Sequence, residues 1–169
     1  MYIFKWILLL AVFCTSTIIG ILISKKYSNR LKILKEMKNA LNIFEVKINF
    51  SCETIPEIFG EISHKIKGTV GKIFSDTIKN METMAAGDAW ECAIDGNSET
   101  LKIEDVNSLK PLGKLLGRTD IDGQLNQIKL VCTFLDEQIS EALEEKNKNE
   151  KMYQKLGAVV GLIMVIVLI

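Results

Sequence analysis

Residues 116–142 read LGRTDIDGQLNQIKLVCTFLDEQISEA. The later part of this stretch decides the fold class. Leu125, Ile128, Cys132, Leu135, Ile139 and Ala142 follow one another at spacings of 3, 4, 3, 4 and 3. A helix turns once in about 3.6 residues, so this series makes one apolar seam along a helix face. The earlier part decides how that helix begins. Gly117 is placed as the residue that closes a preceding helix in a left-handed conformation. Thr119 or Asp120 caps the next helix through a side-chain oxygen, and Asp122 stands three residues after Thr119, as a capping box requires. Both acids also suit the positive end of that helix. The corner is therefore read as helix, turn, helix.

Two chemical readings of the same corner fail on spacing. Asp120-Ile121-Asp122-Gly123 resembles part of a calcium loop, which needs a further ligand at its fifth position and an acid at its twelfth. Gln124 and Val131 stand there. The two carboxylates have no base, nucleophile or metal ligand in reach to complete an acid–base site. Elsewhere, Gly68-Thr-Val-Gly-Lys72 lacks the leading Gly and the trailing Ser or Thr of a phosphate loop, because Ile66 and Ile73 hold those places. His64 is the only histidine and has no evident partner. No catalytic, metal or cofactor-binding residue is assigned, and the chain is read as a non-enzyme.

A second seam runs through Leu31, Leu34, Leu41, Phe44 and Ile48, with Met37 between. Between the two seams the punctuation is that of short helices. Thr54-Ile55-Pro56-Glu57 starts one that runs to about Lys67. Gly68 and Gly71 break it, and another runs to about Met84. Gly87-Asp88 opens a short helix that holds Trp90. Asp95 to Ser98 turns, and IEDVNSLKPLGKLLG makes a last helix kinked or split at Pro111.

With 169 residues the chain is one domain's length, and its 21 basic and 21 acidic residues cancel. That balance argues against nucleic acid as a partner. Aromatic residues make up only 7% and there are two prolines, a composition that suits long helices. Cys14, Cys52, Cys92 and Cys132 are scattered, which fits free thiols in a reducing compartment.

Hydrophobicity is concentrated at the ends. Residues 6–23, WILLLAVFCTSTIIGILI, carry no charge and reach roughly 27 Å as a helix, against a bilayer core of about 30 Å. Residues 153–169, YQKLGAVVGLIMVIVLI, close the chain with about 25 Å of helix. No small-residue cleavage site follows the first run, and a bulky Phe13 precedes Cys14, so an uncleaved anchor is expected. Residues 25–38 hold six Lys or Arg against one Glu, and Lys146, Lys148, Lys151 and Lys155 precede the closing run. The positive-inside rule puts residues 25–152 in the cytoplasm, between transmembrane helices at 1–24 and 153–169. The expected fold is all-α: a helical bundle built on two long antiparallel helices that continue into the two spans. Ser16-x-x-x-Gly20 and Gly157-x-x-x-Gly161 are small-residue pairs that suit close helix packing in lipid, within one chain or between chains of a homo-oligomer.

LGRTDIDGQLNQI also carries a resemblance to the stage III sporulation protein AB family, through Leu116, Gly117, Asp120 and Gln124. Gly20, Tyr27, Arg30, Leu41, Glu45 and Ile48 agree with the family before it, as do Thr54, Pro56, Trp90 and Ala93. Leu156, Gly157 and Gly161 agree after it. The resemblance implies a non-catalytic scaffold in a secretion-like channel between mother cell and forespore during endospore formation. Its body is similar to the helical domain of the inner-membrane platform protein of type II secretion. On that likeness the partners are other membrane proteins of the channel and a cytoplasmic assembly ATPase, and the location is the outer forespore membrane on its mother-cell side. Leu116, Gly117, Asp120, Gln124 and Trp90 are the residues marked for structural importance or partner contact. The alternative is a helical membrane adaptor or sensor unrelated to secretion.

Overall fold

A computed structural model describes residues 2–51, 53–117 and 120–168. It contains α1 (Tyr2–Phe50), α2 (Ile55–Lys65), α3 (Gly68–Met81), α4 (Ala86–Asp95), α5 (Ile103–Leu109), α6 (Pro111–Leu115) and α7 (Ile121–Leu168). No strand occurs among the described residues. The fold is an all-α helical bundle, and α1 and α7 are its two long helices. The chain divides into two compact units: Met1–Leu31 with Glu141–Ile169, and Lys32–Ser140.

In the second unit α1 and α7 run antiparallel. Lys38 bonds Asp136 at 2.7 Å, the Cys132 thiol donates to Asn42 Oδ1 at 3.8 Å, and Lys129 lies 3.9 Å from Glu45. The α1 seam is buried throughout, from Leu31 to Ile48. The α7 seam is shifted from its expected line. Ile128, Val131, Leu135 and Ala142 are buried, whereas Leu125, Cys132 and Ile139 are only half-buried. The cause is helical geometry. A strict seven-residue repeat drifts about 20° per heptad on a straight helix. Val131 lies on the side toward which Ile128, Leu135 and Ala142 drift, and Cys132 lies on the other.

The short helices close the same core. Phe44 of α1, Phe59 of α2, Phe74 of α3 and Trp90 of α4 are all fully buried. Their rings meet edge-on or tilted, with centroids 5.0 Å (44–59), 4.8 Å (59–74), 5.9 Å (59–90) and 5.4 Å (74–90) apart. Such rings combine large buried area with favourable edge-to-face geometry.

The punctuation is mostly where the residues put it, with two differences. Glu57 reaches back to the Thr54 backbone N–H at 2.7 Å and accepts its hydroxyl at 2.9 Å, so α2 starts at the expected cap. Pro111 separates α5 from α6. Gly71, however, does not break a helix: it is buried inside α3. A Cβ there would sit 1.9 Å from the Ile66 carbonyl oxygen, so the missing side chain serves the close return of α3 past the end of α2. And α3 stops at Met81, short of Met84, where the chain turns through Glu82 to Met84 on hydrogen bonds to Lys79 and Asn80.

In the first unit α1 and α7 are again antiparallel. Ser16 Oγ donates to the Gly157 carbonyl at 2.9 Å, Gln154 Nε2 to Ser24 Oγ at 3.3 Å, and Arg30 to Glu145 at 2.7 Å. Most of the exposed side chains of this unit are apolar, among them Leu10, Ile19 and Leu22 on α1 and Val159, Ile163 and Ile166 on α7. Among the described residues one helix, α1, is long and apolar enough to cross a membrane. The closing run of α7 is shorter and opens on Tyr153, Gln154 and Lys155.

Candidate functional site

Among the described residues no three or more His, Cys, Asp or Glu gather where a metal ion could be held. His64 is exposed on α2. What the molecule offers is two structural sites: the corner between α6 and α7, and the packing face of the first unit.

At the corner α6 ends at Leu115, Leu116 is extended, and Gly117 follows with φ +71. That is the left-handed region, where a side chain strains the backbone. Leu116 turns inward and is 2% exposed. With Phe44, Leu112, Gln124 and Gln127 it surrounds a narrow crevice, and Gln127 Nε2 donates to the Pro111 carbonyl at 2.9 Å. Asp120 is exposed and caps α7: its Oδ1 accepts the Gly123 N–H at 2.9 Å and its carbonyl accepts from Gln124 at 3.1 Å. The other capping candidate, Thr119, lies outside the described residues, and with it the box to Asp122. Gln124 is half-buried. The four corner residues thus share one turn, but only Gly117 and Asp120 are exposed.

Trp90 stands apart from that surface. It is fully buried in the aromatic cluster, and its indole N–H donates to the Leu109 carbonyl at 3.0 Å. Its own helix, α4, meets α6 backbone to backbone: a Cβ on Gly113 would lie 2.8 Å from the Gly87 oxygen and 3.2 Å from Trp90 Cδ1. The position of Trp90 is that of a core residue, with no surface to offer a partner.

The packing face of the first unit holds the small-residue pairs. A Cβ on Gly20 would lie 2.7 Å from the Tyr153 carbonyl oxygen, and one on Gly157 would lie 3.0 Å from Gly20 Cα. Gly161 meets Phe13, with ring and carbonyl 3.0 and 3.3 Å from a built Cβ. Ser16, Gly20, Gly157 and Gly161 are therefore brought together within one chain. Tyr27 stacks on Tyr153 at 5.9 Å with the planes 13° apart.

Residue patterning leaves one feature of this unit unmarked. The Arg30 side chain is 5% exposed and sits 2.7 Å from Glu145 and 3.7 Å from Glu141. A buried guanidinium needs such partners, because its charge is costly to desolvate alone. Beside the agreement of Arg30 with the family, the available signal is that residue 30 is an arginine within a run of lysines. In the second unit Lys47 bridges Glu53 and Glu61 at 2.9 Å each, and these hydrogen bonds hold its ammonium above the usual lysine range.

An all-α bundle with one helix long and apolar enough to cross a membrane is the class of protein that the described residues define. The chain belongs to the stage III sporulation protein AB family, whose model, Stage III sporulation protein AB (spore_III_AB), matches residues 5–169. It is 28% identical over 153 residues to Stage III sporulation protein AB of Bacillus subtilis (strain 168), over 88% of this chain and 90% of that one. A solved structure of Stage III sporulation protein AB (SpoIIIAB) shares its fold, with a TM-score of 0.64 at 24% identity over 70% of this chain and 96% of the other.

Proposed function

We propose that the protein is a non-catalytic membrane platform of a secretion-like channel joining mother cell and forespore during endospore formation. Residues 1–24 and 153–169 are its two spans, and residues 25–152 face the mother-cell cytoplasm at the outer forespore membrane. One observation carries this reading. Both helices of the first unit expose apolar side chains along their lengths, and on both the apolar run gives way to lysines at the same end. The second unit instead closes most of its large apolar side chains inside. Lipid covers the first kind of surface, and lysines mark the cytoplasmic end.

Helices α2–α6 then offer the surface on which a cytoplasmic assembly ATPase docks, while other membrane proteins of the channel meet the spans. The likeness of the family to secretion platforms supports this assignment. Family membership ties it to spore formation. The test is purification of the full-length tagged protein, cross-linked, from sporulating cells. Recovery of an assembly-type ATPase with further membrane proteins is expected. Repeated recovery of the protein alone, or with unrelated regulators, overturns the platform role and leaves a membrane adaptor.

A further inference from the structure

The first unit carries a set of lysines that pair with no acid among the described residues. Lys25 and Lys26 on α1, and Lys148, Lys151 and Lys155 on α7, are exposed and form no ion pair among the described residues. Three of the four acids between Glu141 and Glu150 are engaged elsewhere, and the fourth, Glu144, is exposed and forms no ion pair among the described residues. Glu141 and Glu145 face Arg30, and Glu150 lies 3.8 Å from Lys146. The free lysines share one level of the helix pair. Ser24 meets Gln154, and Tyr27 stacks on Tyr153, so Lys25 and Lys26 stand at the height of Lys151 and Lys155. From Lys148 to Lys155 the helix rises only about 10 Å. Immediately beyond this level the exposed side chains turn apolar, with Ile21, Leu22 and Ile23 on one helix and Leu156, Val159 and Val160 on the other.

We propose that this collar binds the phosphates of anionic lipid headgroups, so that the protein enriches anionic over zwitterionic lipid around its spans. The inference rests on the two-span reading above. Charge complementarity selects the occupant. Unpaired ammonium groups at the boundary of an apolar belt meet the headgroup layer, where each lysine near an anionic surface is attracted to it. Lysine stems lie along apolar surface while their heads reach the phosphates. The stacked tyrosines at the same level are amphipathic rings of the kind enriched at that interface.

The test reconstitutes the full-length protein in phosphatidylcholine vesicles containing phosphatidylglycerol. Electron spin resonance then compares the motionally restricted fractions of spin-labelled phosphatidylglycerol and phosphatidylcholine. An association ratio of about threefold or more in favour of the anionic lipid is expected. It should fall as salt is raised, because exposed charges are screened. It should fall toward one in the variant Lys25→Gln, Lys26→Gln, Lys151→Gln, Lys155→Gln, whose helix content and vesicle incorporation are checked alongside. Equal restriction of both lipids by the unaltered protein overturns the collar while leaving the spans in place. A preference that survives the four substitutions also overturns it. Restriction of neither lipid overturns the membrane reading itself, and the collar with it.

Discussion

Trp90 touches Phe59 and Phe74 and donates its indole proton to Leu109 O, so one side chain joins α2, α3, α4 and α5. Trp90→Phe keeps most of the packing but leaves a buried carbonyl without its donor, a loss of about 1–3 kcal/mol. Trp90→Ala opens a cavity as well and costs about 3–5 kcal/mol. Denaturant unfolding of the full chain in detergent reads both, and equal stability of the three proteins refutes the core role. Asp120→Ala removes the α7 cap and costs about 1 kcal/mol. If capture of the ATPase falls in this variant while stability holds, Asp120 is a contact; equal loss of both makes it a cap alone. Glu57 titrates in a defined direction. The Thr54 backbone N–H, and then its hydroxyl, hold its carboxyl below the usual 4.5. A folded value below the unfolded one means that the stabilisation is present above pH 4.5 and is lost as pH falls through the lowered value. Hydrogen exchange in the first turn of α2, corrected for intrinsic rate, should therefore accelerate in acid, and Glu57→Gln should remove most of that acceleration.

Helix pairs are built differently in the two units. In the second, large side chains interlock; in the first, glycines let backbones touch. Gly20→Leu places a branched side chain where even a Cβ would meet the Tyr153 carbonyl and Gly157 Cα at 2.7 and 2.9 Å. Overpacking of this kind costs about 1–3 kcal/mol. The variant should melt earlier in lipid with its oligomeric state, read by cross-linking, unchanged, since the glycines are used within the chain. A change of oligomer with no change of melting assigns Gly20 to a contact between chains. The same contrast explains what residue patterning reveals. The α1 seam is legible because every turn repeats the same apolar choice. The Val131 shift is not, since it depends on how straight α7 runs against its partner. Gly71 reads as a breaker because glycine weakens helices in isolation, and only the approach of the Ile66 carbonyl gives it another use. Likewise, no spacing brings Phe44, Phe59, Phe74 and Trp90 into one cluster. Gly117 and Asp120 are legible because a turn between helices is a local event, whereas the burial of Trp90 and the Arg30 ion pair are long-range ones.

At the scale of the molecule, apolar ends and a closed bundle between them make one topological claim that the chain's own cysteines can test. Cys92 is exposed on α4, in the unit proposed to face the cytoplasm. Cys132, on α7 of that unit, is half-buried, and burial first, with Glu45 beside it, pushes its thiol up from the usual range. Cys14 lies on the apolar run of α1. Maleimides react with the thiolate, so a raised thiol reacts more slowly. With a Cys52→Ser variant placed in the plasma membrane of non-sporulating cells, a charged maleimide that cannot cross membranes should leave intact cells unlabelled. After permeabilisation Cys92 should label first and Cys132 more slowly, with the gap narrowing as pH rises and the Cys132 thiol ionises. Cys14 should stay unlabelled until detergent replaces the bilayer, because a charged reagent does not enter hydrocarbon. Labelling of Cys92 in intact cells places the bundle on the opposite side and removes the cytoplasmic ATPase from consideration as its partner. Labelling of Cys14 in intact membranes removes the first span.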